Sequence, residues 1–194
     1  MQTMIRTEAD RDPEFAAWFT GMAGADVVKE CIHCGTCSGC CPLAPHMDLG
    51  PRRLMHLARE GYRNDVLASN TMWLCTSCYA CTVQCPRKIP VTEILYALKR
   101  RAIEAGTYPK KMPTPVMAQV FQSQVSSRGR MSEVWLVLRL YLKTGIGRLF
   151  GFAGTGISLL RTGRVSLKRE HIERRAELAG LLAAVDHDKE GAAA

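Results

Sequence analysis

The feature that most constrains this chain is a cysteine motif that occurs twice. Each copy has the pattern C-x2-C-x2-C-x3-C-P, and the second copy begins 44 residues after the first. The first copy consists of Cys31, Cys34, Cys37, Cys41 and Pro42, and the second of Cys75, Cys78, Cys81, Cys85 and Pro86. Because eight of the nine cysteines fall in this repeat, the fold must accommodate two equivalent thiol-rich loops.

The spacing of the motif is the one that binds a cubane [4Fe-4S] cluster. Three thiolates on one tight loop each reach a different iron of the cube, and the fourth, redirected by proline, ligates the other cluster in two-cluster proteins. The chain is therefore predicted to hold two [4Fe-4S] clusters with exchanged fourth ligands. The predicted metal ligands are Cys31, Cys34, Cys37 and Cys85 for the first cluster, and Cys75, Cys78, Cys81 and Cys41 for the second. Without the clusters the chain should be poorly folded.

Zinc is the structural alternative for the same cysteines. A zinc site usually draws paired ligands from two separated knuckles around one ion, and four thiols within one eleven-residue loop fit that arrangement poorly. The first 18 residues contain no apolar stretch typical of a secretory signal. This predicts a reducing, cytoplasmic location, where clustered cysteines bind metal rather than form disulfides.

Residues between and beside the ligands have less specific interpretations. Cys40 is interpreted as a small buried residue, with a redox-active thiol or an alternative ligand left open. His33 is expected beside the cluster or in solvent, because every cluster position is already a cysteine. The cations that follow the motifs either tune the cluster potentials or are solvated, and they are Arg52, Arg53, Arg87 and Lys88.

The segments around the motifs have helical patterns. Asp12 followed by Pro13 predicts the start of a helix that continues to Gly21. Each motif leads into an amphipathic helical pattern that stops at a glycine, Gly61 or Gly106. The apolar faces of the two patterns are Leu49, Leu54, Leu57 and Ala58, and Ile94, Leu95, Leu98 and Ile103.

Two further short turns are predicted between the motifs, with Asp65 and either Ser69 or Asn70 as their caps. No alternating run of β-branched residues occurs in this region. The fold class is therefore predicted to be all-α, and the compact β-rich ferredoxin fold is disfavoured.

Charge and proline content divide the chain. Three prolines interrupt the helical pattern at 107–115, which predicts a domain at 1–106 and a helical C-terminal extension at 107–194. Residues 99–175 carry 16 Lys and Arg against 4 Asp and Glu, so the basic charge belongs to this arm. A helix starting at Ser132 is apolar nearly all round, which indicates burial in a core or against a partner. Glycine turns are expected at 143–156, a charged helix at 166–186 and a frayed end at 187–194.

The sequence indicates electron conduction without substrate chemistry. It contains no telling set of Ser, His and Asp, no paired carboxylates and no flavin motif, so no catalytic residue is predicted. The longest uncharged apolar run, residues 149–160, has 12 residues, whereas a membrane span needs roughly 20. No transmembrane segment is therefore expected.

The twin motifs, their helical surroundings and the segment "GRMSEVWLVLRLYLKTG" resemble heterodisulfide reductase, specifically its C subunit and the bacterial homologues of that ferredoxin-type protein. The resemblance covers residues 13–170 and is strongest at 31–98. It implies an α-helical ferredoxin domain that relays electrons between a flavin-containing subunit and a catalytic subunit with Cys-Cys-Gly motifs. In this chain Cys40 and Cys41 are followed by Pro42, so the disulfide chemistry is expected on another chain.

Two other functions share parts of this pattern. The twin motif also occurs in iron-sulfur subunits of flavin-linked dehydrogenases that oxidise glycolate or glycerol 3-phosphate. A basic metal-binding module for nucleic acid is a remote alternative, because the basic arm lacks an RNA-binding signature and a recognition-helix pattern. The resemblance therefore predicts protein subunits, and not nucleic acid, as partners.

Overall fold

The computed structural model describes residues 6–22, 26–109, 112–145, 147, 151, 153–163 and 171–191. Within these ranges all regular elements are helices and none is a strand, which confirms the all-α prediction. The chain divides into two compact units, Met1–Pro109 and Lys110–Ala194.

The first unit contains seven α-helices within the described ranges. They are α1 (Pro13–Gly21), α2 (Thr36–Gly39), α3 (Pro51–Arg59), α4 (Arg63–Ala68), α5 (Thr71–Leu74), α6 (Ala80–Val83) and α7 (Val91–Glu104). Short 3₁₀ turns precede or separate them at Glu8–Asp10, Asp26–Glu30 and Ala44–His46. The long helices α3 and α7 follow the first and second motif respectively, so both halves of the repeat have a cysteine loop followed by a helix.

Helix α1 begins where the sequence predicts. The side chain of Asp12 accepts a hydrogen bond from the backbone N–H of Phe15, and Pro13 occupies the first helical position. Phe15 and Phe19 lie one turn apart and are buried in the core of the unit. The cap satisfies one of the backbone donors that a helix start leaves unpaired.

The apolar faces of α3 and α7 form most of this core. Leu54, Ala58 and Leu98 are fully buried, as their helical spacing predicts. Leu49 is also buried but lies before α3, because Pro51 is the first residue of the helix. On α7 the last buried position is Ala102, and the predicted position Ile103 is only half-buried.

The predicted caps between the motifs are wrong in part. Asp65 lies inside α4, where its carboxylate pairs with Arg6 at 2.5 Å, and Tyr62 occupies the N-cap position. Asn70 does precede α5, but its side-chain oxygen accepts the backbone N–H of Asp48 at 3.0 Å and does not cap the helix. A partner distant in sequence has taken each side chain away from the local cap.

Gly61 joins the end of α3 to the start of α1. Its φ angle is +85°, and its carbonyl accepts the backbone N–H of Asp12 at 2.8 Å. A Cβ atom at this position would lie 2.7 Å from the carbonyl oxygen of Asp12. Left-handed φ and close backbone approach therefore both require glycine here.

We expect Gly61→Ala to lower the free energy of unfolding by about 2 to 4 kcal/mol, because a left-handed alanine is strained and its methyl group collides with backbone. Gly106→Ala is the matched control. Its φ is +64° but no atom lies within 4 Å of the added Cβ, so only the strain of about 1 to 2 kcal/mol should remain. Urea unfolding under argon measures both, and equal losses would contradict the close approach at Gly61.

The second unit contains four helices within the described ranges: α8 (Pro113–Arg128), α9 (Glu133–Thr144), α10 (Ala153–Arg161) and α11 (Arg175–Gly191). Helix α8 contacts both α9 and α11. Ser132 precedes α9 as predicted, although its hydroxyl makes no capping bond. Its backbone N–H donates to the side-chain oxygen of Gln124, a buried residue of α8, at 3.1 Å.

Several expectations for the arm need correction. None of the residues of α9 is buried in this chain, so the interpretation as a core helix is wrong. Gly154 and Gly156 lie within α10, so the glycine turns expected there are wrong. Helix α11 continues to Gly191, past the start of the segment expected to fray, and residues 164–170 and 192–194 lie outside the described residues.

Candidate iron-sulfur centre

The two cysteine loops share an unusual backbone conformation. His33 and Ser77, which are equivalent in the repeat, have φ angles of 55° and 59°. Gly35 and Tyr79, also equivalent, have φ angles of 84° and 61° and immediately precede α2 and α6. Left-handed residues at these points curl the chain tightly, and backbone N–H groups in such turns form concavities that bind anions. Both loops therefore have a backbone suited to a negatively charged thiolate cluster.

Exposure of the thiols follows the same repeat. The third cysteine of each motif, Cys37 or Cys81, lies in α2 or α6 and is buried, with 8% and 9% of its surface exposed. The second, Cys34 or Cys78, is exposed. Helices α2 and α6 contact each other. Each loop thus has one thiol on the inner side, towards the other loop, and one at the surface.

Cysteines of both motifs line one cavity. Its thiol-bearing residues are Cys41, Cys75, Cys78 and Cys81, which are the four ligands predicted for the second cluster. Apolar side chains, among them Met47 and Leu95, complete the wall. No three potential ligands among the described residues are grouped closely enough to hold a single metal ion. The four thiols surround a shared space, and their chemistry suits an iron-sulfur cluster.

The remaining predicted ligands also come together across the repeat. Burial raises the pKa of the Cys37 thiol to about 11, and the neighbouring thiols Cys31, Cys81, Cys34 and Cys85 raise it further. Arg87, two residues after Cys85, forms an ion pair with Glu30, which directly precedes Cys31. The fourth cysteine of the second motif therefore lies beside the loop of the first motif.

Hydroxyl groups act on two of the thiols. The hydroxyl of Thr36 lies 3.3 Å from the Cys34 sulfur and lowers the pKa of that thiol. Burial raises the pKa of Cys81, and the hydroxyl of Thr92, 3.8 Å from its sulfur, opposes that rise. The buried thiols hold their protons until a metal displaces them, so cluster binding must release protons.

Cys40 and His33 stand apart from the predicted ligand sets. The Cys40 sulfur points towards the carbonyl of Cys37 at 3.8 Å, and Cys41, not Cys40, lines the cavity. Cys40 is half-exposed, so its interpretation as a buried residue is wrong. The His33 ring meets His56 edge to face, and its Nε2 lies 3.2 Å from a guanidinium nitrogen of Arg59. Burial, and then the charge of Arg59, lowers the pKa of His33.

The cations considered for tuning have different surroundings. Arg87 is neutralised by Glu30, and Arg52 adds to the positive potential around His33. Sequence reasoning missed Lys99, whose ammonium lies 3.5 Å from the carbonyl oxygen of Cys75 and 4.8 Å from the Tyr96 ring centre. It also missed Thr92, because nothing in the local sequence relates α7 to the sulfur of Cys81. Thr36, next to a ligand within the motif, had such a signal.

Comparison with known proteins agrees with this geometry. Residues 27–89 match the family of 4Fe-4S dicluster domains, and the matched segment includes all eight predicted ligands. This segment is a dicluster ferredoxin-type domain. The match supports iron-sulfur clusters, and the predicted number of two agrees with the dicluster description. It favours clusters over the zinc alternative.

The dicluster domain is similar to the C subunits of several heterodisulfide reductases. It is 48% identical over 84 residues to the C subunit of the ferredoxin:CoB-CoM heterodisulfide reductase of Methanosarcina mazei, covering 43% of this chain and 51% of the relative. The identity is 33% over 84 residues with the C subunit of the H(2):CoB-CoM heterodisulfide,ferredoxin reductase of Methanothermobacter marburgensis, covering 43% and 45%. The alignments thus span about half the length of these relatives. They confirm the resemblance to this type of subunit.

The same comparison bears on the chain's class. Its relatives are iron-sulfur subunits of an oxidoreductase, which supports an iron-sulfur electron-transfer subunit with protein partners. Among the described helices none is long and apolar enough to cross a membrane.

Proposed function

We propose that this chain is the electron-transfer subunit of a heterodisulfide reductase-like complex. It relays electrons between a flavin-containing subunit and a catalytic subunit with Cys-Cys-Gly motifs, in a reducing cytoplasmic compartment. The first [4Fe-4S] cluster is held by Cys31, Cys34, Cys37 and Cys85, and the second by Cys75, Cys78, Cys81 and Cys41. The bound clusters supply reversible one-electron transfer, and the protein supplies ligands, shielding and position.

The mirrored exposure of the two loops supports a relay. Cys37 and Cys81 are buried, lie on the contacting helices α2 and α6, and interact electrostatically with each other. Cys34 and Cys78 are at the surface. An electron that enters beside one exposed ligand can pass between the inner sides of the two loops and leave beside the other. Two separate exposed ligands give two partners access, which a relay requires.

The chain lacks the groups for sulfur chemistry of its own. Cys40 and Cys41 are followed by Pro42, so the Cys-Cys-Gly motif is absent from this segment. The relatives' names assign them to heterodisulfide reductases, which favours this assembly over the flavin-linked dehydrogenase alternative. In our proposal the sulfur substrate is therefore converted on the partner subunit.

The second unit offers a surface for an acidic partner. A groove between α8 and α9 is lined by Arg139 and Lys143, one helical turn apart, together with Ser123 and Leu142. Leu142 is 58% exposed, and Phe121 on α8 is 45% exposed. Cations next to exposed apolar side chains suit a partner with carboxylates and a hydrophobic contact. Such a partner would also cover α9, which has no buried residue in this chain.

Charge reversal tests this docking surface. We expect Arg139→Glu with Lys143→Glu to weaken binding to the co-expressed partner subunits at least tenfold, because two attractive charges become repulsive. Arg139→Glu alone is compared with Arg100→Glu, an exposed position on α7 in the first unit that carries the same charge change. Surface plasmon resonance at two salt concentrations measures the affinities. Equal affinity for the groove variants and wild type would reject this surface.

Anaerobic purification tests the function as a whole. We expect the chain to co-purify with a flavin subunit and a Cys-Cys-Gly subunit encoded beside it, and to be reduced by the former and oxidised by the latter in stopped-flow absorbance. The isolated chain should not turn over a disulfide. A stable monomer without partners in its native cell, or turnover by the isolated chain, would contradict the proposal.

A further inference from the structure

A buried pair of hydroxyl groups lies against the inner side of the second loop. Thr92, the second residue of α7, is 1% exposed, and its hydroxyl oxygen lies 3.8 Å from the sulfur of Cys81. The same oxygen lies 3.1 Å from the hydroxyl oxygen of Thr82. The backbone N–H of Thr92 donates to that Thr82 oxygen at 3.2 Å. Both hydroxyls and the sulfur thus form one connected group.

The direction of these hydrogen bonds follows from the chemistry of the three groups. A ligating thiolate carries no proton, so Cys81 can only accept a hydrogen bond. The Thr82 oxygen accepts from the backbone N–H of Thr92, and its own proton is available for the Thr92 oxygen. The Thr92 proton is then directed to the sulfur. The result is a chain of donations from backbone to sulfur in a site shielded from water.

The first half of the repeat keeps the backbone contact and lacks the second hydroxyl. Ser38 is equivalent to Thr82, and its oxygen accepts the backbone N–H of Arg52, the second residue of α3, at 3.1 Å. Thr92 is the second residue of α7. Arg52 therefore occupies the position that corresponds to Thr92, and an arginine has no hydroxyl to give to a ligand sulfur. The two loops are alike in backbone and different in this donor.

We propose that Thr92 tunes the reduction potential of the cluster held by Cys75, Cys78, Cys81 and Cys41, and that Thr82 is a positioning residue for it. This inference rests on the proposed function. A hydrogen bond to a ligand sulfur withdraws negative charge and stabilises the reduced, more negative cluster, so it raises the potential. The duplicated fold thereby gives its two clusters different potentials.

The test is a redox titration of the full chain monitored by EPR. In Thr92→Val the donor is lost at nearly constant volume, and we expect one of the two clusters to shift to lower potential while the other keeps its value. Thr92→Ser, which retains the hydroxyl, should restore the wild-type potential. Rescue by serine separates hydrogen bonding from a general disturbance of packing.

Thr36→Val is the matched control. The Thr36 hydroxyl lies 3.3 Å from the sulfur of Cys34, but Cys34 is exposed, so water can replace the lost donor. We expect a smaller shift, and on the cluster that Thr92→Val leaves unchanged. Equal shifts from both variants on the same cluster would overturn the assignment of Thr92 to the second cluster.

A second measurement does not depend on a substitution. After exchange into D2O, electron-nuclear double resonance of the reduced wild type should detect a deuteron close to the cluster, retained in Thr92→Ser and lost in Thr92→Val. Unchanged potentials in a Thr92→Val protein with full iron content would overturn the tuning role, as would the absence of this deuteron in the wild type. Wild-type protein without clusters would instead refute the proposed function.

Discussion

A chain carrying both Cys34→Ala and Cys85→Ala is expected to keep one cluster, with about four irons in place of about eight. If the fourth ligands are exchanged between the motifs, these two cysteines serve the same cube. The surroundings of Cys37 support this, because Cys34 and Cys85 both lie close enough to raise the pKa of its thiol. Iron analysis and EPR of anaerobically prepared protein measure the number of clusters.

The complementary pair is Cys34→Ala with Cys41→Ala, which removes one ligand from each cluster. We expect this variant to retain almost no iron, although it lacks the same number of cysteines. Without exchange of ligands the two results would be reversed, since Cys34 and Cys41 would then serve one cube. Cys40→Ala is the control and should keep both clusters, because Cys41 and not Cys40 lines the cavity of the second set.

Removal of the clusters is expected to unfold the first unit. Helices α2 and α6 have four residues each, too short to be stable by themselves, and they carry the buried thiols Cys37 and Cys81. Without metal, few interactions hold the curled loops in place, and the coupling of ligand binding to folding is worth roughly 10 kcal/mol in other metal-organised domains. That exceeds or equals the total stability of many domains, about 5 to 15 kcal/mol.

Hydrogen exchange after chelation of iron under reducing conditions measures this loss. We expect the backbone amides of α3 and α7 to change from slow to fast exchange, because their buried faces, which include Leu54 and Leu98, pack in the core that the loops complete. Adding back iron and sulfide should restore slow exchange. Persistent protection of α3 and α7 in iron-free protein would show that the apolar core alone suffices.

Local features of the sequence predicted local features of the fold. The Asp12 cap and the glycine stops after α3 and α7 depend only on nearby backbone groups and on φ angles that favour glycine, so they are legible in the chain. Asp65 does not act as a cap, because its carboxylate binds Arg6, 59 residues away. The spacing of Leu49 predicts a position on the helix, but Pro51 sets the helix start.

The amino-acid sequence alone determined the cofactor chemistry, the helical class and the duplication, because these follow from ligand spacing and from periodicity along the chain. The tertiary structure decided which thiols face inward, that Cys85 lies beside the first loop, and that α9 has no core to enter. It also decided that Thr92 reaches the sulfur of Cys81. Burial and hydrogen bonds between distant segments depend on how helices pack, and no local pattern in the sequence encodes that packing.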